Sequence, residues 1–274
     1  MTDQADVQLT LSQRLHFDIY GFVMLRGVLN PDEIAQLNQA LQLAKATIES
    51  GTEIPPIYFH RGGDHHILLG NLVHYNQVLL DYAVHPELVP LVEEVVGGKI
   101  RLEETEAIIN RRNPATDRAE LAKRRYNPTG FHRGTKHGWG TYIEQDKFHC
   151  VFVKTLAYLT DVGPDDGGTS LIPGSHRLTW QQSRIIKAAM ADDRLLYQVE
   201  AKAGDVILFA ESLIHSTTEI RSDNERTILV AGYTPTMFQP WPGNEVDPDF
   251  IDSLPEDIQP IISGSGSWHW ERNY

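Results

Sequence analysis

The segment Cys150–Leu159 (CVFVKTLAYL) constrains the fold more than any other, because almost every side chain in it is apolar. Successive side chains of a strand point to opposite faces, so a strand at the protein surface alternates apolar with polar residues. In Cys150–Leu159 both faces are largely apolar. We therefore predict a central strand that is covered on both sides.

Further apolar segments with turn residues between them fill the second half of the chain. Strands are predicted at Ile100–Asn110, Thr169–Ile172, Asp205–Phe209 and Thr227–Tyr233. Turns are predicted at Gly167-Gly168 and Pro173-Gly174, and Leu178–Ala191 is predicted to be a helix on an inserted segment. Many short strands separated by turns favour a barrel or jelly roll with helices packed outside.

The first hundred residues carry helix signals with short strands between them. The predicted elements are a helix capped by Thr10 and Gln13 that ends at Gly21, a strand at Phe22–Leu25, a helix beginning at Asn30-Pro31, and a helix from near Pro86 to Gly97. Asn30 is a favourable N-cap, and Pro31 suits the first helical position. We interpret residues 1–274 as one domain: 1–99 mostly helical, 100–235 a jelly-roll core, and 236–274 an irregular C-terminal wrap rich in Pro, Trp and Gly.

Charge and composition exclude several classes of function. The chain has 24 basic and 37 acidic residues and a net charge of −13, which disfavours binding to nucleic acid because phosphate contacts dominate that affinity. Apolar runs are too short for a membrane span, and the N-terminus does not read as a secretory signal. The single cysteine, Cys150, fits a reducing compartment, so we expect a cytoplasmic protein whose oligomeric state stays open.

One local excess of basic residues stands out in this acidic chain. It is made of Arg111, Arg112, Lys123, Arg124 and Arg125. Such a group is most often a solvated loop, and the alternative interpretation is a subsite for an anionic substrate. The segment 113–130 around it is expected to form a wall of the substrate pocket, together with an aromatic tail made of Trp241, Trp268, Trp270 and Tyr274.

Three short segments carry residues suited to chemistry: Phe131–Gly134, Gly167–His176 and Gly204–Arg226. In the last of these, the imidazole of His215 can hold iron. Thr217 follows two residues later, so its hydroxyl faces the same way on a strand. Arg226 can return on a neighbouring strand, and its guanidinium can bind a carboxylate through two parallel hydrogen bonds. A metal ligand, a hydroxyl and a guanidinium together suit a dicarboxylate that chelates the metal at its other end.

These segments resemble the phytanoyl-CoA dioxygenase family of Fe(II)- and 2-oxoglutarate-dependent oxygenases. The resemblance is carried by HFDIYGFVMLRGVLNPDEI, HPELVPLVEEVVGG, LTDVGPDDGGTSLIPGSH, GDVILFAESLIH and ERTIL. It implies a double-stranded β-helix, a cupin-like jelly roll that is mainly β with flanking helices. It also implies His132 and His215 as iron ligands, Arg226 and Thr217 as anchors of the distal carboxylate of 2-oxoglutarate, and O₂ and a small molecule as the other substrates.

The sequence departs from the family pattern at Gly134, where the usual His-x-Asp motif would supply a carboxylate ligand. A His-x-Gly or His-x-Ala motif resembles that of the iron and 2-oxoglutarate halogenases, in which chloride or bromide fills the vacated position. Glu211, four residues before His215, is the candidate substitute ligand, and its alternative role is a turn residue or salt-bridge partner. Because Glu211 is available, we favour hydroxylation over halogenation.

Other polar residues near these motifs have weaker claims to a role in the site. Glu144 and Asp146 are expected on an exposed hairpin, His137 and His149 are more often structural than substrate-binding, and Asp161, Asp165, Asp166 and His176 are expected to build turns or pack. Two alternatives from other classes remain: a jelly-roll binding protein that has lost its iron chemistry, and a cupin-type isomerase. Arg226 argues against both, because neither needs an anchor for a co-substrate.

Overall fold

A computed structural model describes residues 7–54, 57–63, 65–123, 125–135 and 140–265. Its helices are α1 (Leu11–Tyr20), α2 (Pro31–Glu49), α3 (Gln77–Ala83), α4 (Val89–Val96), α5 (Arg118–Lys123), α6 (Gln182–Ala191), α7 (Pro248–Asp252) and α8 (Gln259–Ser263). Its strands are β1 (Phe22–Leu25), β2 (Tyr58–Arg61), β3 (His66–Gly70), β4 (Ile100–Asn110), β5 (Thr141–Glu144), β6 (Lys147–Cys150), β7 (Val153–Tyr158), β8 (Thr169–Leu171), β9 (Tyr197–Gln198), β10 (Val206–Ala210), β11 (His215–Thr217) and β12 (Arg226–Pro235).

Two facing antiparallel sheets form the centre of the molecule. The larger has seven strands in the order β1-β10-β7-β12-β4-β3-β2, and the smaller has three in the order β11-β8-β9. Strand β7 pairs with both β10 and β12, which confirms that Cys150–Leu159 contains a central strand. The arrangement agrees with the predicted fold class, mainly β with flanking helices in a jelly roll.

The alternation of side chains along β7 separates two hydrophobic layers. Val153 and Ala157 belong to a cluster that packs against the helices. Leu156 and Tyr158 belong to a second cluster, which also includes Leu171 of the smaller sheet. The helices therefore cover one face of the larger sheet, and its other face is left for the smaller sheet and the space between them.

Helices α1 and α2 begin where their capping residues predict. Thr10 and Gln13 form a capping box on α1, and Gly21 ends that helix in the left-handed conformation at φ +85°. Asn30 caps α2 by accepting hydrogen bonds from two backbone N–H groups. α4 begins at Val89, later than predicted, and ends at Gly97.

Several predicted boundaries were wrong. Cys150–Leu159 is not continuous: β6 ends at Cys150, and β7 begins at Val153. The chain changes its pairing partner between them: Val151 N–H donates to the Gly140 carbonyl in register with the β5–β6 pair, and the Phe152 carbonyl accepts from Glu211 N–H in register with the β7–β10 pair.

Other elements were missed by sequence reasoning. Of the three strands that the N-terminal part contributes to the larger sheet, β1 was predicted at Phe22–Leu25, whereas β2, β3 and helix α3 were not predicted. The C-terminal wrap contains two short helices, α7 and α8. Within the described ranges, the protein has no helix with the length and apolar character that a membrane crossing requires. The cytoplasmic location stays a prediction.

Candidate active site

A cavity of about 700 Å³ opens between the two sheets. Its floor includes apolar side chains of the larger sheet such as Leu156 and Ile228, and its rim includes residues of the 113–130 segment such as Asn113 and Leu121. The rim therefore agrees with the expectation that this segment forms a pocket wall. His132, His215, Thr217, Arg226 and Lys154 all line the same cavity.

The two histidines are held side by side by their own backbones. His132 and His215 exchange both N–H···O hydrogen bonds at 2.9 Å, and their ring centroids lie 4.3 Å apart. In each ring Nδ1 lies near a backbone carbonyl, Gly130 at 3.0 Å for His132 and Leu213 at 2.9 Å for His215. Because a carbonyl only accepts, each Nδ1 must donate, and each Nε2 keeps its lone pair for a metal.

The electrostatic environment keeps His215 neutral. Burial lowers the pKa of His215 to about 4, against a smaller opposite effect of the nearby Glu211 carboxylate. A neutral imidazole is the form that binds a metal. His132 is exposed at the cavity side, so the pair combines one buried and one accessible ring.

Gly134 lies directly against the Glu211 carboxylate. A Cβ built on Gly134 would overlap Oε2 of Glu211, and Gly134 N–H donates to the Glu211 backbone carbonyl at 2.9 Å. Glu211 is 1% exposed. The space that an aspartate side chain would take in a His-x-Asp motif is thus filled by a carboxylate from another strand end.

Glu211 stands beside the histidine pair without yet closing a metal site. Its Oε1 lies 3.9 Å from His215 Nε2, and Glu211 is not among the cavity-lining residues. In the described part of the chain, no three His, Cys, Asp or Glu side chains are arranged to hold a metal ion. The two imidazoles can therefore bind a metal in their present positions, whereas the Glu211 carboxylate has to move closer to bind the same metal.

A buried lysine connects Glu211 to a second carboxylate. Lys154 Nζ lies 3.1 Å from Glu211 Oε1 and 2.6 Å from Glu104 Oε1. Burial by itself would lower the pKa of Lys154, and the Glu211 and Glu104 carboxylates raise it above its usual value. Neither Oε1 atom has an aligned hydrogen bond within the described residues, so the contacts are ion pairs.

Arg226 lies at the start of β12, at another point on the cavity wall, and is 1% exposed. Its Nη1 donates to the Gly167 carbonyl, and Nη2 donates at 3.1 Å to Asn110 when that amide is turned to present its oxygen. Burial lowers the pKa of Arg226 to about 10, partly offset by Tyr158. Among the residues that the structure describes, no Asp or Glu forms an ion pair with it.

Two threonine hydroxyl groups in the cavity that Arg226 lines differ in burial. Thr217 lies on β11 with His215 and lines the cavity, but it is exposed. Thr169, its partner across the β8–β11 ladder, also lines the cavity, is buried, and accepts a hydrogen bond from Tyr158 at 3.0 Å. Thr169 was missed as a cavity-lining residue, because nothing in one sequence distinguishes it from a core residue.

The weaker candidates lie away from the cavity wall. Glu144 and Asp146 are exposed on the β5–β6 hairpin, as predicted. His149 is buried and stacks on Tyr142, while His176 packs on Phe148. The predicted acids make turn-building contacts. The Asp161 carboxylate accepts from Ala203 N–H, and the Asp166 carboxylate accepts from Gly163 N–H. The Asp165 backbone carbonyl accepts from Arg221 N–H, and its carboxylate forms an ion pair with the Arg221 guanidinium.

Two predictions on the cavity surroundings need correction or fall outside the described residues. Trp241 was wrongly expected in the pocket wall, because it packs edge-on against Phe152 at 5.1 Å and does not line the cavity.

In the basic group, Arg112 pairs with Asp223, Lys123 pairs with Glu120, Arg125 bonds to Gln198, and Arg111 lines the cavity. Arg124, His137, Trp268, Trp270 and Tyr274 lie outside the described residues.

The sequence matches the family model for phytanoyl-CoA dioxygenase over residues 17–228, well over half of the chain. The chain belongs to the phytanoyl-CoA dioxygenase family. Dioxygenase olcK of Penicillium canescens is 26% identical over 147 residues, which is 53% of this chain. The match spans only 45% of the length of olcK, somewhat less than half of that relative.

Solved structures similar to this phytanoyl-CoA dioxygenase family member share its fold. HygX from Streptomyces hygroscopicus, solved with nickel, 2-oxoglutarate and hygromycin B, is 23% identical with a TM-score of 0.66, covering 85% of this chain and 90% of HygX. SnoK, a non-haem α-ketoglutarate-dependent carbocyclase of nogalamycin biosynthesis, is 16% identical with a TM-score of 0.59, covering 82% of this chain and 84% of SnoK. Both the family resemblance and the jelly-roll fold predicted from the sequence are confirmed.

Proposed function

We propose that this family member is an iron(II)- and 2-oxoglutarate-dependent oxygenase that hydroxylates an unactivated C–H bond of a small molecule. The observation that carries the proposal is the buried guanidinium of Arg226, which lacks an acidic partner among the described residues and lines the same cavity as the histidine pair. A buried cation without a counter-charge is costly. A bound dicarboxylate removes that cost.

The residues present fit iron and 2-oxoglutarate. His132 and His215 offer Nε2 atoms, since each Nδ1 is engaged with a backbone carbonyl. Glu211 offers a carboxylate oxygen that has no aligned hydrogen bond, completing two imidazoles and one carboxylate. Arg226 binds the distal carboxylate of 2-oxoglutarate, assisted by the hydroxyl of Thr217. When bound, iron and 2-oxoglutarate supply the activation of O₂ and the oxidising power for the C–H bond.

The protein's own contribution is binding, orientation and exclusion of water. Arg226 fixes one end of the co-substrate, which aims its keto-acid end at the two imidazoles. The backbone exchange between His132 and His215 fixes the rings before any ligand arrives. Apolar floor residues such as Leu156 and Ile228 keep the site poor in water.

Hydroxylation is favoured over halogenation by the position of Glu211. The feature that favours a halogenase is Gly134, because glycine has no carboxylate to occupy the third metal-ligand position. The Glu211 carboxylate fills that space, so a chloride or bromide ion there would overlap the carboxylate and be repelled by its negative charge. Repulsion between two anions in a buried site disfavours halide binding.

The substrate is expected to be a polar molecule of moderate size. The cavity volume of about 700 Å³ lies within the range of ligand pockets, and it has to hold 2-oxoglutarate as well. Its rim carries polar side chains such as Asn113, Thr116 and Asn127. The structure of HygX with hygromycin B indicates that a related fold accommodates a small molecule beside 2-oxoglutarate.

The test is an anaerobic titration of the metal-free protein with Fe(II) and 2-oxoglutarate, followed by chloride or bromide. We expect a visible charge-transfer band that neither halide shifts, and succinate formation on admission of O₂. A band that shifts with halide would favour the halogenase. Absence of a band, with no binding of Fe(II), would favour a jelly-roll binding protein without iron chemistry.

A further inference from the structure

We infer that Lys154 is a positioning residue that holds the Glu211 carboxylate in the place left by Gly134, using Glu104 as its second support. The inference rests on the proposed function, because it concerns the carboxylate that would complete the iron site. Three geometric observations support it. The Lys154 side chain reaches Glu104 across β12, its ammonium pairs with both carboxylates, and the Glu211 carboxylate lies close to the histidine pair.

A glycine on the intervening strand lets Lys154 reach Glu104. In the register of the larger sheet, Gly232 of β12 pairs with Lys154 of β7 on one side and with Glu104 of β4 on the other. A Cβ on Gly232 would stand 2.8 Å from Glu104 Cγ and 3.0 Å from its Oε1. Any larger residue at this position would therefore displace the Glu104 side chain from its place beside Lys154.

The ammonium of Lys154 balances two carboxylates that are themselves shielded from solvent. The Lys154 side chain is 17% exposed, and those of Glu104 and Glu211 are 10% and 1% exposed. Without the lysine, the two negative charges would face each other in a medium of low dielectric constant. Lys154 therefore fixes where the Glu211 carboxylate can stand.

The held position is close to, but not at, the metal-binding position. Metal–nitrogen and metal–oxygen bonds of about 2.1 Å place neighbouring ligand atoms about 3 Å apart. Glu211 Oε1 is 3.9 Å from His215 Nε2, so a shift of about 1 Å brings it into the ligand shell. The same oxygen lies 3.1 Å from Lys154 Nζ, which leaves the ion pair intact or slightly stretched after that shift.

The role of Lys154 is distinguishable from simple charge balance by a pair of variants. Lys154→Met removes the ammonium and leaves both carboxylates, and this variant risks misfolding. Lys154→Met/Glu104→Leu removes one charge of each sign, so the remaining buried charge is the same as in the wild-type triad. Replacing a buried ion pair by apolar residues is often neutral for stability. Lys187→Met, on the exposed face of α6, is the matched control.

The experiment is a titration of each full-length variant with Co(II) alone, followed by visible absorption, and a parallel titration with Fe(II). We expect the double variant to fold, to bind Co(II) about 10- to 100-fold more weakly than wild type, and to show an altered d–d spectrum, as is usual when a supporting residue of a ligand is lost. Lys187→Met should match wild type. Circular dichroism and thermal unfolding check the fold of each variant.

One result would overturn the inference. It is wild-type Co(II) affinity and spectrum in the folded double variant, whether or not Lys154→Met alone loses Co(II) binding, because it would reduce Lys154 to a charge-balancing role. Failure of the proposed function looks different, because the wild-type protein itself would then give no charge-transfer band with Fe(II) and 2-oxoglutarate.

Discussion

Two buried cations face the same cavity, and they have opposite surroundings. Lys154 on β7 lies between two carboxylates, at 2.6 Å and 3.1 Å. Arg226 on the adjacent strand β12 has a backbone carbonyl and an amide as partners but, in the described residues, no carboxylate. The pKa of Lys154 is raised by its neighbours, and that of Arg226 is lowered by burial to about 10.

The comparison indicates that the charge of Lys154 stabilises the folded site, whereas the charge of Arg226 serves to bind an anionic ligand. The charge of Lys154 is already compensated, so it belongs to the architecture of the site. The charge of Arg226 is compensated only when an anion enters the cavity. Removal of the two charges should therefore affect the free energy of unfolding and the binding of 2-oxoglutarate to different extents.

The largest expected effect is on stability. Lys154→Met should lower the free energy of unfolding by about 3–5 kcal/mol, because it leaves two buried carboxylates without their counter-charge. Arg226→Met should leave the free energy of unfolding of the ligand-free protein within about 1 kcal/mol of wild type, because it removes an uncompensated charge. Urea unfolding of both variants without metal measures the difference. Equal destabilisation by the two substitutions would remove the distinction.

The second effect is on the binding of 2-oxoglutarate. Arg226→Met should weaken it by about 100-fold, or about 2.7 kcal/mol, because the bidentate carboxylate contact is lost. Arg184→Met, on the surface helix α6, is the control and should leave affinity unchanged. Calorimetric titration in the presence of a divalent metal measures both. Tight binding by the Arg226 variant would place the distal carboxylate elsewhere.

A third test probes the space that Gly134 leaves. Gly134→Asp should destabilise the protein by about 1–3 kcal/mol, because its Cβ would overlap the Glu211 carboxylate. Gly134→Asp/Glu211→Ala should relieve the overlap and return a carboxylate to the His-x-Asp position, so Fe(II) binding should recover relative to Glu211→Ala alone. Thermal unfolding and Fe(II) titration follow the two effects. An additive loss in the double variant would show that the two positions are independent.

The smallest effect concerns the hydroxyl of Thr217, which lines the same cavity as Arg226. Thr217→Val should weaken 2-oxoglutarate binding by about fivefold, or about 1 kcal/mol, which is a typical contribution of one hydrogen bond. Thr169→Val is the informative comparison, because Thr169 is buried on the paired strand and also lines the cavity. A larger loss from Thr169→Val would move the hydroxyl anchor from the exposed to the buried threonine.

The sequence predicts the fold better than it predicts the surroundings of the site. Capping residues such as Thr10 and Asn30 act locally, so α1 and α2 begin where predicted. The break between β6 and β7 lies where the chain changes its pairing partner from β5 to β10, and β10 is distant in the chain, so Cys150–Leu159 read as one strand. A hydrogen bond between remote residues leaves no local pattern.

The same limit applies within the site. His132 and His215 stand in recognisable motifs and are brought together as expected. The sequence shows that Lys154 is the one charged residue in an apolar strand. It does not show that Glu104 is its partner, because that follows from the pairing of Gly232 with Lys154 on one side and Glu104 on the other. Sheet pairing between β4, β12 and β7 is tertiary information, and one sequence does not carry it.

The most direct test of the account is a crystal structure of the protein grown anaerobically with Fe(II) and 2-oxoglutarate in the presence of chloride. We predict iron bound by Nε2 of His132 and His215 and by a Glu211 oxygen at about 2.1 Å, with the distal carboxylate of 2-oxoglutarate on Arg226. A chloride ion on the iron, with Glu211 still at its present distance from His215, would contradict the account and establish the halogenase arrangement instead.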